Sequence, residues 1–413
     1  MSEPNITVYG AYWCPDCRRS KQFLGEHQIP YHWIDIEQDP AAEQFVITAN
    51  QGRRIIPTIV FEDGSILVEP SNAALAARLG LKTVASRTHY DLIVLGGGPA
   101  GLTTALYAAR EAIDTLVIER AAIGGQAAAT EKLENMPGFP DGIGGMDFAQ
   151  RLRRQAEQFG VEILQAQEVT HIHHHDNYHC VTTGDGSEYS ASALLISTGS
   201  RYRRLGVPGE ADYIGAGVHF CATCDGPFYR GKRVVVVGGG NSAAEESLLL
   251  TKYADQVTIL VRGAAFKASP IIQESVLGDP KIDVRFHTEV EAFVGANAKL
   301  RRLKLRNNES GAREEMVVDG AFIFIGLDPN TQFLADSDVH LDRWGFVVTG
   351  HDLRHAGMGP VGQAQREPVF LETSAPGVFA AGDVRAGSTK QVASAAGEGA
   401  TAALLIREYL KTV

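Results

Sequence analysis

The sequence of 413 residues contains few cysteines, and their distribution limits the class of protein. Five are present: the two C-x-x-C pairs Cys14/Cys17 and Cys221/Cys224, and a separate Cys180. This usage argues against a small secreted scaffold held by disulfides, because sparse close pairs are typical of redox or metal sites. A zinc ribbon separates its two pairs by roughly 15–20 residues, far less than the separation found here. Cys180, in H-C-V-T-T, is expected to be a small core residue.

Long apolar runs and an excess of positive charge are also absent. No run approaches the ~18 apolar residues that suggest a membrane span, and the N-terminal M-S-E-P-N is not a basic segment leading into a hydrophobic one. We therefore expect no membrane span, no secretory signal and a cytoplasmic location. Lys and Arg number 38 against 49 Asp and Glu, a net charge of −11, which disfavours nucleic acid and anionic membranes as partners. At ~150 residues per domain, the length indicates about three domains.

The N-terminal stretch alternates strand and helix signals in the order β-α-β-α-β-β-α. I-T-V-Y-G predicts a strand, the first cysteine pair opens a helix from Pro15 to about Gly25, and Asp63-Gly64 is typical of a hairpin turn. This order places C-x-x-C at a helix N-terminus, where the helix dipole and free N–H groups favour a thiolate.

Three motifs in this stretch, W-C-P-D-C, I-P-T and V-F-E-D-G-S, resemble the glutaredoxin family, especially its mycoredoxin-like members. The resemblance covers residues 4–81. It implies that Cys14 is the exposed nucleophile, that Cys17 is the resolving thiol, and that Pro57 is a cis proline which helps to position the substrate.

A polar joint, residues 82–89, leads into D-L-I-V-L-G-G-G-P-A-G-L, a buried strand followed by a glycine turn and a helix. Gly96, Gly98 and Gly101 fit G-x-G-x-x-G, and the next strand, T-L-V-I-E, ends at Glu119. The glycines permit a tight turn and close approach to a pyrophosphate, and the acidic side chain is placed to accept hydrogen bonds from a ribose. The pattern predicts a dinucleotide site, interpreted as the FAD site.

A second copy follows in R-V-V-V-V-G-G-G-N-S-A-A-E-E, where Gly238, Gly240 and Ala243 fit the G-x-G-x-x-A variant. Where the first copy has Glu119, we align Arg262 in the second. Because an arginine suits a 2′-phosphate, this copy is interpreted as the NADPH site.

Further motifs recur in order around both copies: G-G-Q at 124–126, E-N-M-P-G-F-P, I-S-T-G-S, H-F-C-A-T-C-D-G, I-G-L-D-P-N-T and V-F-A-A-G-D-V. Over residues 90–413 the chain resembles low-molecular-weight thioredoxin reductases. The resemblance implies an α/β architecture in which a glutaredoxin-like domain (1–83) precedes two Rossmann-like domains. The FAD-binding domain would be split into 90–205 and 327–413, with the NAD(P)H-binding domain, 206–326, inserted between them.

The family's ligand positions carry over residue by residue. For FAD, besides the first glycine turn, they are Glu119, Gly125, Gln126, Asn135, Gly382, Asp383, Gln391, Val392 and Ala393. For NADPH, besides the second glycine turn, they are Asn241, Ser242, Arg262 and Lys267. The NADPH loop departs from the family's H-R-R-x-x-F-R, since it reads V-R-G-A-A-F-K and keeps one of the arginines. Because of this departure, the preference for NADPH over NADH remains open.

At the second cysteine pair, the resemblance implies that Cys224 faces the flavin while Cys221 attacks the partner's disulfide. Asp225 would be the general acid that protonates the departing thiolate. The inserted domain would rotate between two states, because nicotinamide and disulfide must each meet the same flavin.

Two remaining stretches are not assigned a functional role. The H-I-H-H-H run places His171, His173 and His175 on one face of a strand, with no further ligand evident, so no metal site is predicted. Residues 349–372 look like an insertion, for which a plain loop is favoured over a lid or a dimer contact.

These observations predict an NADPH-dependent flavoprotein disulfide reductase. Electrons would run from NADPH through FAD and Cys221/Cys224 to Cys14/Cys17, or to a separate thioredoxin- or glutaredoxin-like partner. A homodimer is expected, and low-molecular-weight thiol disulfides remain candidate substrates. The alternatives are a peroxiredoxin reductase component, or a reductase whose N-terminal module senses a thiol or binds a cluster.

Overall fold

A computed structural model describes residues 6–27, 29–128, 130, 132–175, 178–296, 299–355, 357 and 366–413. The chain divides into two compact units, the first formed by residues 1–129, 145–199 and 331–413, the second by 130–144 and 200–330. The glutaredoxin-like and FAD-binding segments thus share one unit, while the expected FAD-binding stretch 130–144 clusters with the other. No helix within the described ranges is long and apolar enough to cross a membrane.

The N-terminal module has the predicted element order. Its elements are β1 (Ile6–Gly10), α1 (Pro15–Glu26), β2 (His32–Asp35), α2 (Pro40–Ala49), β3 (Thr58–Phe61), β4 (Ile66–Val68) and α3 (Asn72–Arg78). The sheet order is β2-β1-β3-β4, with β1 parallel to β2 and antiparallel to β3. Val8, Leu24, Ile59 and Leu75 are fully buried between sheet and helices, so the module has its own hydrophobic core.

The rest of the first unit is built on a largely parallel sheet. Its elements are β5 (His89–Leu95), α4 (Pro99–Arg110), β6 (Thr115–Ile118), α5 (Gly125–Ala128), α6 (Gly145–Gln158), β7 (Glu162–Leu164), β8 (Val169–His175), β9 (Tyr178–Thr183), β10 (Glu188–Ile196), α10 (Asp352–His355), β21 (Val378–Ala380) and α11 (Val392–Leu410). The strand order is β7-β6-β5-β10-β9-β8, and β21 also pairs with β10. Helices α4 and α11 meet closely, because a Cβ at Gly399 would lie 2.3 Å from the carbonyl oxygen of Ala100.

The second unit contains another nucleotide-binding sheet. Its elements are β11 (Ser200–Tyr202), β12 (Val218–His219), α7 (Ala222–Asp225), β13 (Arg233–Val237), α8 (Asn241–Leu250), β14 (Gln256–Leu260), α9 (Pro270–Gly278), β15 (Ile282–Arg285), β16 (Thr288–Ala296), β17 (Lys299–Asn307), β18 (Arg313–Val317), β19 (Gly320–Ile323) and β20 (Leu327–Pro329). The parallel order β12-β19-β13-β14-β15 is flanked by the antiparallel β16-β17-β18. Both predicted nucleotide-binding folds are therefore confirmed.

The joint between the glutaredoxin module and β5 is bound along its length to the FAD-binding segment. Glu162 accepts hydrogen bonds from the Ser86 N–H and hydroxyl and from the Tyr90 hydroxyl, all at 2.6 Å, and forms an ion pair with Lys82. Gln167 Nε2 donates to the Thr83 carbonyl at 2.9 Å. The polar sequence of the joint suggests a flexible tether. The hydrogen bonds show instead that the joint is fixed to the FAD-binding segment.

The environment of Glu162 makes this anchor an electrostatic one. Burial acts to raise the pKa of the carboxyl, but the hydrogen bonds from Lys82, Ser86 and Tyr90 outweigh it and lower the pKa to about 2. A carboxyl whose pKa is depressed on folding adds stability above its unfolded pKa, which is lost as the pH falls towards 2. At neutral pH the anchor is fully charged.

Replacing Glu162 tests whether the joint is held in this way. Glu162→Ala leaves the joint without its main acceptor, so trypsin should cut after Lys82 and Arg87 at least roughly tenfold faster than in the wild type. Glu168→Ala is the matched control, because its exposed carboxylate forms a long surface ion pair with Arg120, at 3.7 Å, and not with the joint. Mass spectrometry of the early fragments measures the rates; equal rates for Glu162→Ala and wild type would show that the joint is already open.

Candidate redox and nucleotide sites

The first cysteine pair lies where β1 passes into α1. Cys14 is the N-cap of α1, and its sulfur accepts a hydrogen bond from the backbone N–H of Cys17 at 3.2 Å. The same sulfur lies 3.7 Å from the carbonyl oxygen of Ile56, which begins the cis peptide bond to Pro57. The predicted cis proline is confirmed, and it faces the cysteine expected to be the nucleophile.

Both cysteines of this pair are buried, Cys14 at 4% and Cys17 at 0% exposed. The expectation that Cys14 is exposed is therefore wrong, because its sulfur caps α1 and lies against the Ile56 carbonyl. Burial, together with the hydrogen bond to Cys14, raises the pKa of the Cys17 thiol to about 12, so Cys17 is protonated at neutral pH. Cys14 instead caps the start of α1, where its sulfur accepts the backbone N–H of Cys17. The flanking charges largely cancel, because Arg19 pairs with Asp16 at 2.5 Å.

Aromatic side chains surround the pair on opposite sides. Tyr12 and Trp13, which precede Cys14, are each 61% exposed. Behind the pair, a Cβ at Gly10 would lie 2.7 Å from the Cys17 sulfur and 2.6 Å from the Trp33 ring. Gly10 is thus required by close packing, whereas Tyr12 and Trp13 offer an apolar surface to an incoming molecule.

The first glycine turn follows β5 as predicted. Gly96 has φ +107° and a Cβ there would lie 2.5 Å from the Ser197 carbonyl oxygen, while a Cβ at Gly101 would lie 2.0 Å from the carbonyl oxygen of Gly96. Gly98, at the start of α4, instead faces open space. Two of the glycines are therefore needed for chain packing, and the third leaves room at a helix N-terminus for a phosphate group.

Glu119 closes this turn from the end of β6. It is only 9% exposed, and its carboxylate oxygens accept hydrogen bonds from Gly97 N–H and Ala121 N–H, both at 2.7 Å. Burial raises its pKa, an effect that the two backbone donors oppose. Such a carboxylate is fixed at the strand end, where a ribose hydroxyl would be bound.

The remaining FAD candidates occupy two further loops of the first unit and one loop of the second. Gly125 and Gln126 begin α5, whereas Asn135 is an exposed residue of the segment 130–144. Gln391, Val392 and Ala393 form the start of α11, with Gln391 as its N-cap. This helix of 19 residues presents the N–H groups of its first turn to an anionic or polar group.

Asp383 lies in a charged cluster that sequence reasoning missed in part. Burial raises the pKa of Asp383 and lowers that of Lys390 to about 8, and Lys390 Nζ donates to the Asp383 carbonyl at 2.6 Å. Gly382 N–H donates to Glu398 at 2.7 Å, and Glu398 pairs with Arg385 at 2.5 Å. The sequence signal for this cluster was the three charged residues of D-V-R and S-T-K-Q, namely Asp383, Arg385 and Lys390.

These residues fit FAD. The open space above Gly98 would provide a phosphate site, and the buried Glu119 and half-buried Asp383 would provide two carboxylates for hydroxyl groups.

The second glycine turn repeats this geometry. A Cβ at Gly238 would lie 2.3 Å from the Phe324 carbonyl oxygen and 2.9 Å from Ala243 Cβ, and Gly240 faces open space at the start of α8. Asn241 and Ser242 follow and are exposed, with Asn241 Oδ1 accepting from Ser269 N–H at 2.8 Å. The start of α8 therefore has the same room for a phosphate group as the start of α4.

The strand after this turn corrects the alignment of Glu119 with Arg262. Gly96 N–H donates to Ile118 and Gly238 N–H to Leu260, so Glu119 corresponds to the next residue, Val261. Gly239 faces Val261, as Gly97 faces Glu119. The alignment of the two strand ends was wrong by one residue, because the last residue of a strand cannot be identified within an apolar run.

The corrected register still distinguishes the two sites. Buried Val261 offers no carboxylate to a ribose, and exposed Arg262 and Lys267 bring two positive charges beside it.

The second cysteine pair spans the start of α7. Cys221 is half-buried and disulfide-bonded, and its carbonyl accepts from the Asp225 N–H at 3.1 Å. The side chain of Cys224 lies outside the described residues. Asp225 Oδ2 lies 3.3 Å from His219 Nδ1, a contact that sequence reasoning did not anticipate.

The histidine run forms β8 and part of its hairpin with β9. His171, His173 and His175 are exposed, while His174 Nδ1 lies 3.2 Å from His179 Nδ1. Burial and the neighbouring His174 lower the pKa of His179 to about 4. Among the residues that the structure describes, no group of three or more His, Cys, Asp or Glu side chains is arranged to hold a metal.

The stretch 349–372 is described only at its two ends. It begins with α10, and near its end Arg366 donates to both carboxylate oxygens of the fully buried Glu372 at 2.6 Å. The end of this stretch is therefore anchored to the core. Residues 356 and 358–365, with most of G-M-G-P-V-G-Q, lie outside the described residues.

Comparison with known proteins agrees with both nucleotide sites. A family model for pyridine nucleotide-disulphide oxidoreductases matches residues 90–399, and one for glutaredoxin matches residues 6–66. A thioredoxin reductase of Treponema pallidum is 40% identical over 326 residues, covering 79% of this chain and 99% of its own. The chain therefore belongs to the pyridine nucleotide-disulphide oxidoreductase family.

Solved structures give the same assignment. The thioredoxin reductase of Streptococcus pyogenes is 36% identical with a TM-score of 0.71, covering 79% of this chain and 100% of its own. That of Giardia duodenalis is 31% identical with a TM-score of 0.70 and the same coverage. The chain is a thioredoxin reductase-like oxidoreductase that uses FAD and NADPH, joined to a glutaredoxin domain.

Nucleotide preference tests the corrected alignment. Arg262→Ala should raise the KM for NADPH roughly ten- to a hundred-fold and leave that for NADH nearly unchanged, because a charged hydrogen bond contributes about 1.5–3 kcal/mol. Val261→Glu should act in the same direction by placing a carboxylate near the 2′-phosphate. Arg262→Lys, which keeps the charge, is the matched control. If Arg262→Ala discriminates between the nucleotides as the wild type does, Arg262 is not the 2′-phosphate ligand.

Proposed function

We propose that this reductase delivers electrons to its own glutaredoxin domain, which then reduces an external disulfide. The carrying observation is the geometry at Cys14, whose sulfur caps α1 beside a cis proline while Cys17 is held protonated behind it. This arrangement supports a reducible pair with one attacking and one resolving thiol. The acceptor class is a thioredoxin- or glutaredoxin-like disulfide, with low-molecular-weight thiol disulfides as the smaller candidates.

The exchange at the first pair balances in two steps. The Cys14 thiolate attacks the substrate disulfide, forming one S–S bond while the other substrate sulfur leaves as a thiolate. Cys17 then loses its proton and attacks Cys14, closing the Cys14–Cys17 disulfide and releasing the second thiol. Because burial holds the Cys17 pKa at about 12, its proton must be removed within the mixed disulfide.

The second pair would regenerate the first. Its thiolate at Cys221 attacks the Cys14–Cys17 disulfide, and Cys224 then attacks Cys221 to release the reduced domain, with Asp225 protonating the departing thiolate. When bound, FAD carries two electrons from the nicotinamide to the Cys221 disulfide. Glu119, Asp383 and the start of α11 would hold the flavin nucleotide, and Arg262 and Lys267 the NADPH phosphate.

The anchored joint limits how the two pairs can meet. The glutaredoxin domain is bound to the FAD-binding segment through Glu162, so it does not diffuse on a free linker. We infer that exchange requires a motion of the segment carrying Cys221, or a second copy of the chain in a homodimer. A reducing compartment such as the cytoplasm suits a relay that works through thiols.

Cys14→Ser tests whether the first cysteine pair takes part in electron transfer. The variant should lose at least roughly 99% of NADPH-driven reduction of a glutathione mixed disulfide, because its hydroxyl cannot replace the thiolate. A small aromatic disulfide that reacts at Cys221 should still be reduced at nearly the wild-type rate. Steady-state NADPH oxidation at 340 nm measures both.

Two companion variants make the outcome specific. Cys180→Ser, a half-buried position in β9, should leave both activities unchanged, whereas Cys224→Ser should abolish both. If Cys14→Ser reduces every acceptor at the wild-type rate, the relay is wrong.

A further inference from the structure

His219 is a polar residue placed inside an apolar part of the second unit. It ends β12, two residues before Cys221, and its side chain is 8% exposed. Its ring lies 5.2 Å from the Phe322 ring and 5.3 Å from the Tyr229 ring, measured between centroids. A buried imidazole is retained at such a position only if both nitrogens are satisfied.

Both nitrogens have partners. Nε2 lies 2.6 Å from the Tyr229 hydroxyl, and Nδ1 lies 3.3 Å from Asp225 Oδ2. Asp225 is also tied through its own N–H to the carbonyl of Cys221 at 3.1 Å. A continuous chain of hydrogen-bonding groups therefore leads from the aromatic interior to the residue expected to protonate the thiolate.

The far end of this chain is a neutral phenol. Burial is the main cause that raises the Tyr229 pKa, with Asp225 and Asp319 adding to it, so the hydroxyl keeps its proton throughout the physiological range. The one cation near its ring within the described residues is Lys232, whose Nζ lies 5.2 Å from the ring centroid. The hydroxyl can therefore donate a hydrogen bond to Nε2, which leaves the ring proton on Nδ1, facing Asp225.

Both protonation states of Asp225 fit the same arrangement of hydrogen bonds. With Asp225 ionised, the Tyr229 hydroxyl donates to Nε2 and Nδ1–H donates to Oδ2 of the carboxylate. With Asp225 protonated, the proton is carried by Oδ1, and Nδ1–H still donates to Oδ2. When the Oδ1 proton passes to the thiolate, one O–H bond breaks and one S–H bond forms, and the imidazole keeps its tautomer.

We propose that His219 is a positioning residue for disulfide exchange, which orients Asp225 and keeps it hydrogen-bonded in both protonation states. The inference rests on the proposed role of Asp225 as proton donor. Without His219 the carboxyl loses this hydrogen bond and is free to rotate away from the cysteine pair.

Amide substitutions can separate the two contacts. His219→Asn retains a polar group near the Nδ1 position facing Asp225, whereas His219→Gln retains one near Nε2 facing Tyr229. His219→Phe retains neither and preserves the aromatic packing. Tyr229→Phe removes only the hydroxyl that selects the tautomer.

The experiment uses full-length holoenzyme and two readouts across pH 5–9. The first is kcat for reduction of the small aromatic disulfide, and the second is the rate at which iodoacetamide modifies Cys221 after reduction by dithiothreitol. We expect His219→Phe and His219→Gln to lower kcat roughly tenfold at neutral pH, the value of one hydrogen bond of about 1.4 kcal/mol, and to displace both pH midpoints. His219→Asn should stay within about threefold of wild type, and KM for NADPH should not change in any variant.

Asp225→Asn tells the two possible failures apart. If Asp225→Asn is slow while His219→Phe gives the wild-type pH profile in both readouts, the positioning role is overturned and the role of Asp225 stands. If Asp225→Asn itself turns over at the wild-type rate, both the proton-donor assignment and this inference are overturned. Equal defects in Asn, Gln and Phe variants, with unshifted midpoints, would indicate a packing role and also overturn the inference.

Discussion

The carboxylate of Glu162 determines how the two parts of the first unit work together. It accepts hydrogen bonds from Ser86 and Tyr90 and pairs with Lys82 at the point where the glutaredoxin domain meets the FAD-binding sheet. Ala166 of the FAD-binding segment also packs against the apolar core of the glutaredoxin domain. A fused redox domain held in this way does not move on a flexible linker, so the linker does not raise its effective concentration at a second site. Electron delivery therefore depends on the electron donor that approaches the domain.

The two cysteine pairs have different local surroundings. At the first pair, burial keeps Cys17 protonated while α1 offers its N–H groups to Cys14. At the second pair, the four-residue α7 begins just after Cys221, and Asp225 ends it with His219 as its partner. Directional transfer between two similar C-x-x-C motifs thus relies on the residues around the sulfurs, because the spacing of the cysteines is identical.

Most of the fold could be predicted from the sequence, because it depends on local patterns. The β-α-β-α-β-β-α order, the two glycine turns and the cis proline each have a signature within a few residues, and the structure confirms them. The glycine at Gly96 could be anticipated from the motif, although its contact with Ser197, about 100 positions later in the chain, could not.

The errors and omissions have a common physical origin in contacts between distant segments. The joint 82–89 is polar and reads as a tether, but its partner Glu162 lies in another strand and leaves no mark near the joint. The one-residue displacement at Arg262 arose because only the strand pairing shows that Val261 takes the place of Glu119. His219 was overlooked since a lone histidine before a cysteine gives no sign of its neighbours Asp225 and Tyr229.

Anaerobic titration with NADPH tests the central claim, that electrons reach the glutaredoxin domain of the same protein. Each of three centres, the flavin and the two cysteine pairs, accepts two electrons, so complete reduction of the wild type requires about three equivalents of NADPH per chain. The double variant Cys14→Ser/Cys17→Ser should require about one equivalent fewer, and alkylation followed by mass spectrometry should find Cys14 and Cys17 of the wild type reduced at the end point. An equal requirement in both proteins, with the wild-type Cys14–Cys17 pair still oxidised at the end point, would contradict the account.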